Sequence, residues 1–178
     1  MESPGEEALL TGLAAGDELA LAALYDRFGS SMYRAALTML RNREDAEDVV
    51  QDVFVSLVRS RTRLAAVEDL RAYLFTSLRR AAGRVAVRRQ RQPTASEEVE
   101  QATAANQPRL HGQHDECLER AIGELPQLQR EVIGLKIEGE LTFAQIGQVL
   151  GVSQNTAASR YRYALEKLRA ALGEKAQS

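Results

Sequence analysis

The spacing of apolar residues constrains the fold of this chain more than any other feature. Along most of its 178 residues, large apolar side chains recur every three or four positions, and no stretch alternates with period two for long. Recurrence at three and four positions places side chains on one face of an α-helix, whereas a half-buried strand needs strict alternation. The spacing therefore predicts an all-α protein.

The clearest helix of the amino-terminal half opens near Asn42. Asn42, with Asp45 three residues later, is typical of a helix N-cap. The apolar positions of this helix form one stripe: Ala46, Val49, Val50, Val53 and Leu57. We expect the opposite face to meet solvent, and it carries Asp48, Gln51, Asp52 and Val55. Before it we expect two helical pieces within residues 9–24, broken around Ala15-Gly16-Asp17, and a longer helix from about Asp26 to Leu40.

Positive charge is concentrated in the helix that follows. Residues 59–63 are predicted to form a basic loop, after which Asp69 can cap a new helix. The inward positions of this helix are Leu70, Leu74, Leu78, Ala81, Ala82 and Val85. Residues 79–91 contain six arginines and no acid, although the net charge of the chain is −2. Taken alone, such a run is most often a solvated helix face.

A change of composition divides the chain after this helix. Residues from about 90 to 113 are rich in Gln, Glu, Ala, Thr and Pro and have almost no large apolar side chains. Burial in such a segment cannot offset the entropy cost of ordering it. We therefore expect a flexible linker that joins two small helical domains.

The carboxy-terminal part has the pattern of a helix-turn-helix. A helix is predicted from Pro126 through Val132, Ile133 and Ile137 to a stop at Gly139. Thr142 and Gln145 then form a capping box, which opens a short helix that buries Ile146, Val149 and Leu150. Gly151 favours a turn, Ser153 can cap the next helix from Gln154 to about Leu172, and Gly147 is small enough for two helices to cross. Ile146, Leu150, Val152 and Ala157 provide the shared core.

The second helix of this motif carries polar side chains where a recognition helix meets a major groove. Such side chains can bond to base edges and phosphates. The candidates are Gln154, Asn155, Thr156, Ser159, Arg160, Arg162 and Tyr163. An ordinary helical hairpin is the simpler alternative, but the glycine, cap and polar positions agree with one another.

Several other classes of function are disfavoured. No apolar run approaches the roughly 18 residues of a membrane span, and the acidic start lacks a secretory pattern, so a soluble cytoplasmic protein is expected. Cys117 is the single cysteine, and His111, His114 and Cys117 lack a clear fourth metal ligand. No catalytic set or phosphate loop is evident, so we expect no enzyme, no metal and no cofactor.

Two groups of segments together resemble one family. The carboxy-terminal segments 125–132, 141–147, 151–153 and 156–160 resemble the fourth conserved region of bacterial sigma factors. The upstream segments 24–28 and 43–54 resemble the second region. The matches occur in the family's order, with no other region between them, as in the extracytoplasmic-function (ECF) group. The upstream match includes the run Glu-Asp-Ala-Glu-Asp-Val-Val-Gln-Asp, which makes the resemblance specific.

The resemblance implies a role for each candidate surface. Core RNA polymerase would be bound through the clamp helices of its largest subunit and through its flap region, the former at Asp48, Gln51, Asp52 and Val55. The minus-10 element would meet Arg79, Arg80, Arg84, Arg88 and Arg89, and the minus-35 element the polar residues of the recognition helix. Arginine suits an opened strand because it pairs with phosphates and stacks on exposed bases. An anti-sigma factor is a further partner that the resemblance implies.

The sequence also departs from the family at several positions. Val58 and Tyr73 stand where family members usually have tryptophan, and Arg80 and Arg84 align with a common Asn and Asp. In the recognition helix, Ala158 replaces a usual lysine. The expected division is a polymerase and minus-10 domain over 1–89, a linker over 90–113 and a minus-35 domain over 114–178. A stand-alone helix-turn-helix regulator and a degenerate sigma-like interaction protein remain alternatives.

Overall fold

The computed structural model describes residues 5–91 and 113–175. All regular structure in these two segments is helical, as the apolar spacing predicts, and no strand occurs in either of them. Apart from the 3₁₀ and π-helical turns described below, the helices are α1 (Glu6–Ala15), α2 (Glu18–Leu40), α3 (Arg43–Arg59), α4 (Leu70–Arg91), α5 (Gln113–Glu124), α6 (Gln127–Ile133), α7 (Phe143–Leu150) and α8 (Gln154–Lys175). Most of the predicted linker, 90–113, lies outside the described residues.

The first two helices differ from the prediction in one respect. The break occurs where expected: Gly16 is left-handed, and the Asp17 side chain accepts a hydrogen bond from the backbone N–H of Leu19 at 2.9 Å. The predicted separation between pieces near residue 25 is wrong, because α2 is one continuous helix. Ala20, Leu24, Phe28 and Met32 recur every four residues on its buried face, so burial holds the helix together across this region.

Helices α3 and α4 confirm the predicted caps and stripes. The Asn42 side chain accepts from the N–H of Asp45 at 2.8 Å, and the Asp69 side chain accepts from the N–H of Ala72 at 2.8 Å. The α3 stripe is fully buried, as are the inward α4 positions except the half-buried Val85. The predicted loop over 59–63 is wrong, since Arg59 ends α3 and a 3₁₀ turn occupies Arg61–Ala66.

The carboxy-terminal segment contains two elements that the spacing did not predict. Helix α5 precedes Pro126, which is the N-cap of α6 rather than its first residue. After α6 the chain makes a π-helical turn over Gly134–Glu138, closed by a hydrogen bond from the N–H of Gly139 to the carbonyl of Gly134 at 3.0 Å. The predicted helix through Ile137 is therefore α-helical only as far as Ile133, and Ile137 lies in the π-helical turn, 53% exposed.

The largest buried cluster joins the two segments. It contains Phe28 and Phe75 from the amino-terminal segment together with Val132, Leu135 and Ile146 from the carboxy-terminal one. A second, smaller cluster packs α5 and α6 against α8 through Ala121, Leu125, Ile133, Ala164 and Leu168. No described helix is long and apolar enough to cross a membrane.

Candidate functional site

The first candidate surface is the exposed face of α3. Asp48, Gln51, Asp52 and Val55 are all exposed, and Val55 leaves 48% of its surface in solvent. They share one face because α3 buries the opposite stripe and is fixed at its start by the Asn42 cap. The surface is therefore acidic with an apolar edge.

An apolar groove adjoins this face, and sequence analysis did not assign it to a site. The ring of Tyr25 packs on that of Phe54 with centroids 5.0 Å apart, and Tyr25 remains 56% exposed. Leu19 on α2 and Val58 on α3 are also exposed, by 79% and 49%. The groove is lined by Glu18, Leu21, Ala22, Tyr25, Asp26 and Phe54. Its sequence signal is an aromatic residue and a leucine at positions of α2 that the buried stripe does not use.

The second candidate surface, the arginine run of α4, divides into two groups. Arg80 and Arg84 are exposed, one turn apart on the same face of the helix. Arg79 instead forms an ion pair across the two segments, with its Nε 3.4 Å from Oε2 of Glu131. Glu131 is only 6% exposed and also accepts a hydrogen bond from Gln127 at 3.1 Å. Arg79 is thus paired with Glu131 while 36% of its side chain remains exposed.

The end of the arginine run is held by an acid of α3. Nε of Arg89 lies 2.6 Å from Oδ2 of Asp45, in an ion pair that lacks hydrogen-bond alignment, and Nη2 of Arg88 lies 3.9 Å from Oδ1. Asp45 is 9% exposed, so its carboxylate needs these cations to offset the cost of burial. The first turn of α3 is therefore tied to the last turns of α4. Sequence analysis placed Asp45 only at a helix start, because nothing in the spacing shows which cation it meets.

The third candidate surface is built by the helix-turn-helix of α7 and α8. The capping box is present in both directions, with Thr142 N–H donating to Gln145 Oε1 at 2.8 Å and Gln145 N–H donating to Thr142 Oγ1 at 3.2 Å. Gly151 has φ +67°, and a Cβ on Gly147 would come within 2.8 Å of the carbonyl oxygen of Val152. Both glycines are therefore required by the turn that orients α8.

Helix α8 presents the predicted recognition residues mostly to solvent. Ser153 Oγ accepts from the N–H of Thr156 at 3.0 Å, which confirms the cap. The buried stripe of α8 is Ala157, Ala164 and Leu168, and Asn155 and Arg162 lie on the opposite, exposed face. The remaining candidates are exposed at Gln154, Thr156 and Tyr163 and half-buried at Ser159 and Arg160. The free surface of this helix is polar.

Two arginines meet where α2 approaches the carboxy-terminal segment. Nη1 of Arg41 donates to the carbonyl of Gly123 at 3.0 Å, and Nη1 of Arg130 donates to the same carbonyl at 3.3 Å and to that of Leu125. Burial, and next the charge of Arg41, lowers the pKa of Arg130, while Glu131 acts in the raising direction. The carbonyl oxygen of Gly123 therefore accepts hydrogen bonds from two guanidinium groups of like charge.

The described residues contain no group of three or more His, Cys, Asp and Glu side chains placed to hold a metal ion. Cys117 lies half-buried on α5, whereas His111 lies outside the described residues.

Comparison with known proteins assigns both halves of this arrangement to one family. Residues 24–102 match the model for Sigma-70 region 2, and residues 121–170 match the model for Sigma-70, region 4. The first match contains the acidic face and the arginine run, and the second contains the helix-turn-helix.

Individual relatives match along nearly the whole chain. The ECF RNA polymerase sigma factor SigK of Mycobacterium sp. (strain KMS) is 30% identical over 177 residues, covering 94% of this chain and 90% of the relative. SigK of Mycobacterium bovis (strain BCG / Pasteur 1173P2) is 28% identical over 173 residues, covering 92% and 91%.

Solved structures agree on the fold. CnrH, solved in complex with the cytosolic domain of CnrY, has a TM-score of 0.65 and 26% identity, covering 95% of this chain and 97% of CnrH. The sigma factor RpoE of Bartonella quintana, solved with the anti-sigma factor NepR, has a TM-score of 0.58 and 23% identity, covering 93% and 92%. Its likeness supports the fold alone. Both sigma regions in order, and a 30% identical relative that covers 94% of the chain, show that this chain belongs to the ECF RNA polymerase sigma factors, which direct promoter-specific transcription.

Proposed function

We propose that the acidic face of α3 binds core RNA polymerase and that the arginine run of α4 and the polar face of α8 bind the two promoter elements. The observation that carries this proposal is that one chain presents an exposed acidic helix face and a separate helix-turn-helix with an exposed polar helix. The first is suited to a protein surface with positive charge, and the second is suited to a major groove.

The polymerase contact is assigned to the clamp helices of the largest subunit, with the flap region as a second contact. Asp48, Gln51 and Asp52 would provide polar and charged contacts there, and Val55 would provide apolar contact area beside them. The division into 1–89, 90–113 and 114–178 belongs to the same proposal. So does an anti-sigma partner, which membership of the ECF sigma factor family implies. We assign the protein to the cytoplasm, with no enzymatic activity, cofactor or metal.

Among the proposed DNA-binding arginines of α4, exposure to solvent differs from one side chain to the next. Arg80 and Arg84 are exposed in the free chain and are the side chains we assign first to the opened minus-10 strand. Arginine contributes there through phosphate pairing and stacking on unpaired bases, neither of which depends on sequence. For the minus-35 duplex, Gln154, Asn155, Thr156, Arg162 and Tyr163 are the exposed side chains that we assign first to the major groove.

The first experiment tests the polymerase surface. The double variant Asp48→Arg/Gln51→Arg should lower affinity for core RNA polymerase by about tenfold or more, because like charges would face each other at the interface. Glu7→Arg reverses an exposed charge on α1 and is the matched control that should bind normally. Equal binding by both variants and the unaltered chain would show that α3 is not the polymerase surface.

The second experiment tests the DNA surface by run-off transcription with core polymerase. Arg160→Ala should reduce transcript yield while polymerase binding stays unchanged. In promoter binding by the polymerase–sigma complex, it should lower the slope of log affinity against log salt concentration by about one. Arg120→Ala removes an exposed arginine on α5, outside the recognition helix, and should have little effect. Tight promoter binding without polymerase would instead favour a stand-alone regulator, and polymerase binding without any transcript would favour a degenerate sigma-like protein.

A further inference from the structure

A cavity of about 190 Å³ lies where α2, α4 and α6 meet, and arginines provide most of the charge on its wall. Among its described lining residues, Arg79, Arg89 and Arg130 are cationic and Glu131 is the one acid. The other lining residues are uncharged: Met39, Leu40, Ala82, Gly83, Ala86 and Gln127. The Glu131 carboxylate is matched by Arg79, whose Nε lies 3.4 Å from Oε2. The wall of this cavity, which we call the arginine cavity, therefore has a net positive charge.

The positive charge continues behind Arg130. Arg41 and Arg130 both donate to the backbone carbonyl of Gly123, and neither forms an ion pair with a carboxylate within the two described segments. Nε of Arg130 is buried without a hydrogen-bond partner among the described residues. Burial, and next the charge of Arg41, lowers the pKa of Arg130. The protein itself therefore offsets only part of the cost of placing the Arg130 charge here.

The backbone around Arg41 keeps the two arginines close despite their repulsion. Arg41 has φ +59°, a left-handed conformation that is unfavourable for any residue with a Cβ. A Cβ on Gly123 would lie 2.5 Å from Nη2 of Arg41, so the glycine leaves the space that the guanidinium occupies. A strained residue of this kind is more common at functional sites than elsewhere in a fold. The strain at Arg41 thus accompanies a concentration of positive charge, which a bound anion would relieve.

The size and the donors of the arginine cavity define the class of ligand. Its volume is below the roughly 300–1,000 Å³ of pockets that hold a drug-sized molecule, so a small ligand fits better than a whole nucleotide. Guanidinium groups pair with phosphate oxygens through two parallel N–H donors and keep their charge at any physiological pH. One or two phosphate groups match both the volume and the charge.

We propose that the arginine cavity binds a small phosphate-type anion, held by Arg79, Arg89 and Arg130, with Arg41 adding positive charge behind Arg130. The proposal goes beyond the proposed function and does not depend on it. Arg79 and Arg89 also belong to the arginine run of α4, so the phosphate can come from a free anion or from the backbone of a DNA strand. The two sources share one chemistry, and the experiment separates them.

The test is a calorimetric titration of inorganic pyrophosphate into the free, full-length chain at about 0.15 M NaCl, where distant charges are screened. We expect a Kd on the order of 0.1–1 mM for an anion of this size. Added NaCl at matched ionic strength should give no binding heat. A Kd above about 10 mM would overturn the proposal, because general charge attraction would then explain the binding.

Gly83 allows the charge of the cavity wall to be changed without removing a contact. It lines the arginine cavity, and a Cβ there meets nothing within 4 Å, so a longer side chain can be accommodated. Gly83→Glu should weaken pyrophosphate binding by about tenfold or more, because a carboxylate then competes for the arginines and repels the ligand. Gly83→Gln is the matched neutral control and should bind at least several times more tightly than Gly83→Glu. Equal affinities for these two variants would refute the site.

A second pair of variants removes one cation at a time. Arg130→Gln should weaken pyrophosphate binding by about tenfold, whereas Arg120→Gln, at an exposed position on α5, should bind normally. Circular dichroism checks that Arg130→Gln is folded, and a folded Arg130→Gln that binds normally would contradict the assignment.

The last arm identifies the source of the phosphate. A single-stranded oligonucleotide that pyrophosphate displaces, and that Gly83→Glu binds more weakly than Gly83→Gln does, indicates that a DNA phosphate uses the cavity. Pyrophosphate binding without displacement indicates a free anion. Polymerase is absent from every titration, so loss of polymerase binding by α3 variants would count against the proposed function alone.

Discussion

Gly151 allows a stability prediction in which backbone conformation is the only variable. Its φ of +67° is a left-handed conformation that costs an L-residue about 1–2 kcal/mol, and no atom lies within 4 Å of a Cβ placed there. Gly151→Ala therefore introduces strain without a clash. Alanine also lowers the entropy of the unfolded chain relative to glycine, which stabilises the folded state by about 0.4–1 kcal/mol. We therefore expect the free energy of unfolding to fall by about 1 kcal/mol.

Gly83 provides the opposite case within the same chain. It lies inside α4, where a Cβ also meets nothing within 4 Å and the backbone is helical. Gly83→Ala should therefore stabilise the protein by about 0.5–1 kcal/mol. The same chemical change is thus expected to have opposite signs at the two sites.

Thermal unfolding followed by circular dichroism at 222 nm measures both variants. At about 2–4 °C per kcal/mol for a chain of this size, Gly151→Ala should melt about 2–4 °C below the unaltered protein and Gly83→Ala about 1–4 °C above it. Shifts of the same sign in the two variants would refute the assignment of a left-handed turn before the recognition helix.

Two further predictions concern the caps and the core. Thr142→Ala should cost about 0.5–2 kcal/mol in urea unfolding, because the N–H of Gln145 loses its acceptor, and Thr142→Ser should retain most of that stability; equal losses would argue against the capping box. Leu74→Ala should cost about 2–5 kcal/mol because Leu74 is fully buried, whereas Leu19→Ala, at a position 79% exposed, should stay within about 0.5 kcal/mol; similar effects at the two sites would contradict the described core.

Sequence alone predicted the parts of this fold that depend on local chemistry. The caps at Asn42, Asp69 and Thr142 depend on residues three positions apart, and the buried stripes follow from the helical period. The left-handed turn at Gly151 is equally local. Each is decided within a few residues, so the printed sequence contains all that is needed.

The features that sequence reasoning missed depend on tertiary packing. Helix α5 contributes few buried residues, among them Ala121, and its order follows from contact with α8. The π-helical turn lies where Gly134 meets α2, which no periodicity within its own segment reveals. Periodicity likewise shows that Glu131 lies on a helix, but not that it pairs with Arg79. The polymerase-binding and DNA-binding roles of the candidate surfaces stay predictions.

Because Arg41 and Arg130 share the carbonyl of Gly123, the contact between the two described segments responds to ionic strength in an unusual way. Dissolved salt weakens the attraction between Arg34 and Glu138, which favours separation of the two regions. The same ions screen the mutual repulsion of Arg41 and Arg130, which favours their remaining together. Because the two effects oppose each other, the stability of the contact between the two segments should depend on salt less steeply than the number of ion pairs across it suggests.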